Sequence, residues 1–373
     1  MLKGIHLTLL IGPVLAVPVP RELTDALVSA QVTTSAGQRS GFQLQFVFGK
    51  KSTIGQTLLP VGFFDPGIRV ILMATVNSIP NVIMDGIITR QEVAPSGEPG
   101  QSKLTVTGED VSVLMDLIDM TGIPYPAMPP EARVAAIVAK YAVFGLVPLV
   151  IPSIFVDVPV PTTEIPSHQG NDLQYIKKLA TDAGYVFYIE PGPLPGMNVA
   201  YWGPEIRVGV PQPALNVNFD AYTNVDSLTF SQDGLSREQP FIFVHEPITH
   251  LNIPVPIPDI SLLRPPLALR PAIALKFRPL ETSHLPPLRA ALRGLAHSGQ
   301  TSDAVNGSGS LNVLRYGHIL RARQLVGVRG ASPAFDGLYY VKSVTHNLKV
   351  GEYKQSFTLA REGLVSLVPN VPV

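Results

Sequence analysis

Alternating apolar and polar positions dominate the first hundred residues and predict β-strands. From Phe42 to Phe48 every second residue is aromatic or aliphatic, which is the pattern of a half-buried strand. Residues 68–76 form an apolar, partly β-branched run, and Lys103–Gly108 alternates again. Residues 82–91 read as a strand broken by a turn at Asp85-Gly86. We therefore predict an all-β domain over residues 1–108, a small barrel or sandwich.

The hydrophobic period changes to a helical one after residue 108. Spacing predicts a helix over residues 113–118 with Leu117 and Ile118 in its apolar stripe, and a second from Pro129 to Gly145. The clearest helix lies between Gly170 and Gly184, with Asn171 or Asp172 as its N-cap. A strand follows immediately, so residues 109–214 are predicted to be a mixed α+β middle region.

From about residue 215 the strand pattern returns. Residues 247–287 carry ten prolines in 41 positions, which excludes regular helix and central strand there, and residues 288–295 read as a short basic helix. The Gly/Ser-rich segment Ser298–Ser310 is predicted to be disordered, so its deletion is expected to leave assembly intact. The chain then closes with a hairpin whose turn is Lys349–Glu352. The predicted second β domain is 215–373, with an insertion at about 247–310.

Composition points to an assembly subunit rather than a free monomer. Only 15% of the 373 residues are charged while 46% are hydrophobic, so much of the surface is short of solubilising charge. Cysteine is absent, which excludes disulfides and thiolate chemistry. The apolar run from Ile5 to Val19 is interrupted by polar residues and prolines, so we read it as strand, turn, strand and expect no signal peptide or membrane span.

Motifs for catalysis or cofactor binding are weak. Gly49-Lys50-Lys51-Ser52-Thr53 lacks the first glycine of a phosphate-binding loop and is interpreted as a hairpin turn. His245 and His250 are five residues apart with Pro247 between them, which is wrong for a helical zinc site. The formal net charge is +0, and the basic stretch 264–329 contains only two aromatic residues, so nucleic acid is not an expected partner. We expect no catalytic residue, no metal and no cofactor, and hence no enzyme.

Three segments carry a family resemblance. The helix-to-strand unit Gly170–Phe187 resembles a segment of phage late-control D-type hub proteins and of the valine–glycine repeat proteins of type VI secretion. The opening residues 7–46 and the closing residues 337–363 resemble the corresponding hub of extracellular contractile injection systems. The matching residues taken as structural motif positions are Asp172, Leu173, Ile176, Leu179, Gly184, Tyr185, Phe187, Gly351, Tyr353 and Phe357.

The resemblance implies a baseplate hub with two tube-like β domains flanking a mixed helical segment. It implies a homotrimer that adapts a hexameric inner tube to a separate trimeric spike protein and contacts other baseplate subunits. It also implies assembly in the cytoplasm and a place in a virion-like or injection particle. Two alternatives stay open on sequence grounds: a cell-wall-degrading tail enzyme, and a secreted β-rich binding module.

Overall fold

The computed structural model describes residues 5–98, 100–152, 162, 165–245, 252–257, 264–282, 287–368 and 371. The strands in chain order are β1 (Ile5–Gly12), β2 (Val17–Pro18), β3 (Leu27–Ser35), β4 (Gly41–Phe48), β5 (Arg69–Val76), β6 (Ile79–Ala94), β7 (Ser102–Asp110), β8 (Leu146–Val150), β9 (Val186–Pro191), β10 (Asn198–Gly203), β11 (Gln212–Asn216), β12 (Val225–Gln232), β13 (Glu238–His245), β14 (Asn252–Pro256), β15 (Ala268–Pro271), β16 (Lys276–Leu280), β17 (Val305–Asn312), β18 (Leu325–Arg329), β19 (Gly337–Lys349), β20 (Glu352–Arg361) and β21 (Gly363–Ser366). The helices are α1 (Arg21–Ala26), α2 (Pro130–Ala139), α3 (Asp172–Ala183), α4 (Pro287–Gln300) and α5 (Val313–Tyr316).

A thirteen-stranded sheet dominates the molecule, and the prediction of a mainly β fold is confirmed. Its hydrogen-bonded order is β12-β17-β20-β19-β3-β4-β7-β6-β5-β1-β2, with β18 also pairing with β19 and β11 with β18. One large cluster of buried apolar side chains draws on both ends of the chain, from Ile5 to Leu359. The N-terminal strand, turn, strand is present as β1 and β2.

Two parts of this sheet have the same strand order. We call β1 and β3–β7 the first β unit, and β11, β12 and β17–β20 the second β unit. In the first unit the strands lie side by side in the order β3-β4-β7-β6-β5-β1, and in the second in the order β12-β17-β20-β19-β18-β11. If the six strands of each unit are numbered along the chain, both orders are 2-3-6-5-4-1. The units differ in the direction of one strand, the first, since β1 runs antiparallel to β5 whereas β11 runs parallel to β18.

The two units also share two β-bulges, although the β5–β6 and β11–β18 ladders each have a register shift that the other unit lacks. The ladder between the second and third strands shifts between Leu27 and Ser29 in the first unit, and between Val225 and Ser227 in the second. The ladder between the fifth and sixth strands shifts after Ile88 in the first unit and after Val341 in the second. Because a bulge re-aims its strand, matching bulges indicate matching strand geometry. The units are structural repeats that share no visible sequence repeat.

The middle region folds as predicted around its clearest helix. Asn171 caps α3 by accepting from the backbone N–H of Gln174, and the Gln174 side chain completes a capping box. Gly184 ends the helix with φ +73°, a conformation that favours glycine. Helices α2 and α3 contribute to a second core with the three-stranded sheet β8-β10-β9.

The chain leaves the main sheet at Gln232 and returns at Val305. The described part between these points contains a small sheet ordered β14-β13-β16, with α4 packed on it, and β15, which pairs with β21. In this small sheet β14 and β16 are the edge strands and both contain proline, but proline also occurs in the central strand β13, at Pro240.

The prediction that Ser298–Ser310 is disordered is wrong. Helix α4 extends to Gln300, and β17 lies between β12 and β20 with ladder pairing on both sides. Its glycines serve close packing: a Cβ on Gly309 would stand 2.4 Å from the carbonyl oxygen of Ser227. The expectation that this segment is dispensable therefore loses its basis.

The turn predicted at Asp85-Gly86 is also absent, since β6 runs unbroken from Ile79 to Ala94. Asp85 is buried there because its carboxylate pairs with the Arg69 guanidinium at 2.7 Å. A Cβ on Gly86 would stand 2.2 Å from the carbonyl oxygen of Glu109, so this glycine permits close strand approach. Tertiary contacts thus override the local turn pattern.

Two smaller predictions need correction. Residues 111–116 form a 3₁₀ helix that ends before Leu117, so Leu117 and Ile118 are exposed rather than part of a buried stripe. The Gly49–Thr53 segment is not a hairpin turn, because it leads into a π-helical turn at Ile54–Leu58 and β4 pairs with β3 and β7 instead of β5.

Candidate assembly site

The two β units are joined edge to edge by β3 and β19. These strands pair antiparallel from Ser29 opposite Lys349 to Ser35 opposite Ser343. Side chains bridge the joint on the solvent side: the Gln31 amide donates to Asn347 at 3.1 Å, and the hydroxyls of Thr33 and Thr345 lie 3.1 Å apart. One chain therefore already contains one unit-to-unit junction made by strand pairing.

The core side of this joint holds a buried histidine. His346 lies opposite Val32, and its Nδ1 is hydrogen-bonded to the Tyr353 hydroxyl at 2.7 Å. The Gln355 side chain is close by and bonds to the backbone of Leu320 through both its oxygen and its nitrogen. Burial, assisted by the charge of Arg321, lowers the pKa of His346 from 6.5 to about 4, so the imidazole is neutral at pH 7.

The solvent side of the joined sheet is a surface of hydroxyl and amide side chains, which we call the polar face. These side chains take alternate positions from Ser227 to Ser231 in β12, Asn306 to Ser310 in β17, Ser343 to Asn347 in β19, Ser29 to Thr33 in β3, Gln43 to Gln45 in β4 and Thr105 to Thr107 in β7. Cross-strand hydrogen bonds link them, for example Thr229 to Ser308 at 3.0 Å and Ser343 to Thr358 at 2.6 Å. On this face the centres of β12, β17, β19, β3 and β4 are uncharged, whereas in β6 the ion-paired Arg90 and Glu92 lie opposite Thr107 and Thr105 of β7.

At the two outer ends of the polar face, β12 and the last part of β6 each leave a stretch of strand edge with no backbone partner among the described residues. β12 pairs with β17 on one side only. Residues 89–94 of β6 pair with β7, but their opposite edge lies beyond the end of β5. Unpaired edges of this length are places where another strand can add.

Buried ion pairs attach the middle region and the insertion to the β units. Asp303 accepts two hydrogen bonds from Arg207, at 2.6 and 2.8 Å, and Arg264 and Lys342 lie 3.4 Å away. Although burial opposes ionisation, these cations hold the pKa of Asp303 well below its usual value. On the other unit, the Arg69 that pairs with Asp85 also donates to the backbone carbonyls of Phe144 and Gly196.

The sequence-derived motif residues fall into two separate cores. Leu173, Ile176, Leu179 and Phe187 are buried in the core of the middle region, and Tyr185 packs edge-on against Trp202. Tyr353 and Phe357 belong to the main core, and Gly351 is in the turn between β19 and β20 with φ +85°. The structure does not bring these two groups into one site.

Asp172 has a different role from the possible cap that the sequence indicated. Its side chain is buried and accepts from the Lys140 ammonium and the Tyr141 hydroxyl, both at 2.7 Å, so it links α3 to the end of α2. The adjacent Asn171 is the N-cap.

Sequence reasoning missed the β3–β19 joint, His346 and the Asp303 cluster. The available signal for the joint was the alternation of Ser, Thr, Gln and Asn with apolar residues in both strands, which marks strands but not which strands pair.

Metal and membrane sites find no support in the part of the chain that the structure describes. It holds no group of three or more His, Cys, Asp or Glu side chains suited to a metal ion, and no helix there is long and apolar enough to cross a bilayer. The interval from His245 to His250 lies largely outside the described residues.

Comparison with known proteins rests on structure. No protein-family model and no curated protein matches the sequence. A tail protein from Neisseria meningitidis MC58 matches over 97% of this chain and 98% of its own, with TM-score 0.64 and 13% identity. The 43 kDa tail protein of prophage MuSo2 from Shewanella oneidensis matches over 96% and 99%, with TM-score 0.63 and 12% identity. The chain has the fold of phage tail proteins.

The tail-protein fold extends to secretion machinery. An Escherichia coli component of the type VI secretion system, described as similar to the T4 bacteriophage tail proteins gp27 and gp5, matches 93% of this chain and 78% of its own at TM-score 0.51 and 11% identity. A chain of the Francisella PdpA–VgrG complex matches all of this chain over 60% of its own length, at TM-score 0.58 and 10% identity. The resemblance inferred from the helix-to-strand motif and the chain ends is confirmed for the fold.

Proposed function

We propose that this chain is the central hub of a contractile injection system, a structural subunit that adapts a hexameric inner tube to a trimeric spike. The observation that carries the proposal is the pair of β units with the same strand order and matching bulges, joined through β3 and β19. A chain with two equivalent units can fill two neighbouring places of a six-membered ring. Three chains then make a ring that is sixfold in its units and threefold in its subunits.

The polar face would line the channel of this ring. In each unit the other face of the joined sheet is covered by the main core, by the remaining strands and by one short helix, α1 in the first unit and α5 in the second. When six such units form a ring, the core, strands and helix that cover this other face fit only on the outside of the ring. Hydroxyl and amide groups expose little apolar area, and the ion-paired Arg90 and Glu92 bring charges of opposite sign to this face, so it carries no strong net field and suits a passage for other molecules.

The partners in this proposal are the inner tube protein, a separate spike protein and other baseplate subunits. Support comes from the fold, which is shared with tail proteins and with a chain of a VgrG complex. In this role the chain acts mechanically, and assembly of the particle would take place in the cytoplasm.

Measuring the mass of the purified protein in solution tests the proposal. Light scattering or native mass spectrometry should give three times the chain mass of 40.1 kDa, and electron micrographs should show a ring with six similar lobes. A mass equal to one chain at micromolar concentration, with no binding to tube or spike protein from the same particle, would overturn it. Release of peptidoglycan fragments by the pure chain would instead favour a cell-wall-degrading tail enzyme.

A further inference from the structure

The joint inside the chain defines how two chains meet. We propose that the free edge of β12 pairs antiparallel with residues 89–94 of β6 in a second copy of this chain, in the register that joins β3 to β19 within one chain. This inference rests on the proposed trimeric ring and adds the strands, the register and the side chains of its subunit interface.

Equivalence of the two units identifies the edges. β12 is the second strand of its unit, as β3 is of the other, and β6 is the fifth strand, as β19 is. Within the chain, β3 adds to the part of β19 that extends past β18, from Ser343 onward. The corresponding part of β6 extends past β5 and is the stretch whose edge is free. Both partners of the repeated joint are therefore present and unpaired.

The bulges transfer the register from one joint to the other. Arg90 is the first paired residue after the bulge in β6, as Ser343 is in β19, so these two residues occupy equivalent positions. In the same way Ser227 of β12 is equivalent to Ser29 of β3. Since Ser343 lies opposite Ser35 in the chain, Arg90 is placed opposite Asp233 of the second copy. By the same step Glu92 is opposite Ser231, and Ala94 is opposite Thr229.

Charge and exposure fit this register. Arg90 is exposed, and its intrachain partner Glu92 is exposed as well, so the guanidinium is available for a carboxylate from another chain. Opposite charges facing each other across a strand pair are favourable, and Asp233 supplies one. β12 contains no proline or lysine, the residues with which proteins often protect a free edge.

A second copy is the occupant because the two edges of one chain belong to different units. The β3–β19 joint lies between those units, so β12 and residues 89–94 are left to face outward toward neighbours on either side. Repeating the same joint makes a head-to-tail interface, and such an interface closes into a ring when its rotation is a whole fraction of a turn.

The absence of cysteine in the chain allows a clean cross-linking test. The double variant E92C/S231C should form disulfides between chains under mild oxidation, giving covalent dimers and trimers on denaturing gels and nothing larger. The matched control T33C/T345C replaces the equivalent pair of the internal joint, whose hydroxyls are 3.1 Å apart, and should oxidise without a change in mass. The off-register variant E92C/S227C should cross-link at least about tenfold more slowly, since disulfide formation requires close Cβ atoms.

Charge exchange provides a second measurement. R90E and D233R should each weaken every subunit interface by roughly threefold, the range expected for one solvent-exposed ion pair. The double variant R90E/D233R should restore the wild-type strength of the interface.

The outcomes separate the two proposals. A monomeric protein overturns the trimeric hub and this interface together. A trimer in which E92C/S231C fails to cross-link while T33C/T345C oxidises, or in which the off-register pair reacts equally fast, overturns this interface and leaves the hub. A ladder of covalent species beyond trimer shows an open assembly, which contradicts ring closure.

Discussion

At the scale of single residues, Asp303 connects three parts of the molecule. Its carboxylate is nearly inaccessible to water and bonds to Arg207 from the middle region, Arg264 from the insertion and Lys342 from β19. A buried charge is stable only with such partners, because the loss of hydration must be compensated. Arg207 also stacks over the Tyr340 ring at 4.6 Å, which fixes the cluster on β19.

We therefore expect D303N to destabilise the protein by about 3–5 kcal/mol, since it leaves Arg207 buried without its counter-charge. Chemical denaturation followed by circular dichroism measures the loss. The control E352Q disrupts the exposed pair between Lys354 and Glu352 and should leave the unfolding midpoint unchanged. Equal stability of D303N and wild type would show that the cluster is not held by charge.

His346 makes the unit joint sensitive to acid. Because its pKa is about 4 in the folded chain and 6.5 as a free group, the unfolded chain binds the proton more readily between these values. The contribution to stability is complete above pH 6.5 and is lost as the pH falls through about 4, with a total of about 3 kcal/mol.

The variant H346Q, which keeps a hydrogen-bonding side chain beside the Tyr353 hydroxyl, should show a shallower fall of stability between pH 6.5 and 4 than the wild type. Unfolding free energies measured at several pH values test this. Parallel profiles for the two proteins would mean that His346 does not titrate in the folded state as inferred.

At the scale of elements, β17 shows that small residues can mark a tightly packed strand. Ladders to β12 and β20 satisfy its backbone on both sides, and close approach of β12 leaves no room for side chains at Gly307 and Gly309. In place of the expected tolerance of this segment, we now expect that deleting residues 298–310 abolishes folding of the second β unit.

The substitution G309V should destabilise the protein by about 2–4 kcal/mol, because the new side chain collides with the backbone of β12. G234A is the matched control, since a Cβ at Gly234 meets open space. Thermal unfolding distinguishes them, and a G309V protein as stable as G234A would contradict the close packing of β12 on β17.

At the scale of the whole molecule, the joined sheet sets what a ring of these chains would present to its channel. Ser356 is exposed in the middle of the polar face, whereas Val210 is 94% exposed outside the thirteen-stranded sheet. In the assembled ring these two positions should differ in access to large reagents.

A cysteine at Ser356 should react with a small maleimide but slowly with a long polyethylene-glycol maleimide, because three such chains crowd one channel. A cysteine at Val210 should react readily with both. If the long reagent labels the two positions at equal rates in a protein confirmed as a trimer, the polar face does not line the channel.

Local pattern alone determined the elements whose hydrogen bonds close within a few residues. The α3 helix follows from its apolar spacing with Asn171 before it and Gly184 after it, and the last hairpin follows from the alternation of Tyr353, Gln355, Phe357 and Leu359 around a short turn. The family resemblance worked for the same reason, since it was carried by these local units.

Only the tertiary structure decided the pairings between distant segments. Whether Asp85-Gly86 is a turn or the interior of a strand depends on Arg69, and whether Ser298–Ser310 is ordered depends on β12 and β20. The sequences of the two β units diverge where their strand orders agree, because a ladder is made of backbone groups that nearly every residue carries. Strand order, bulge position and the β3–β19 joint are therefore properties of the folded chain, and they cannot be read from the individual residue types along the sequence.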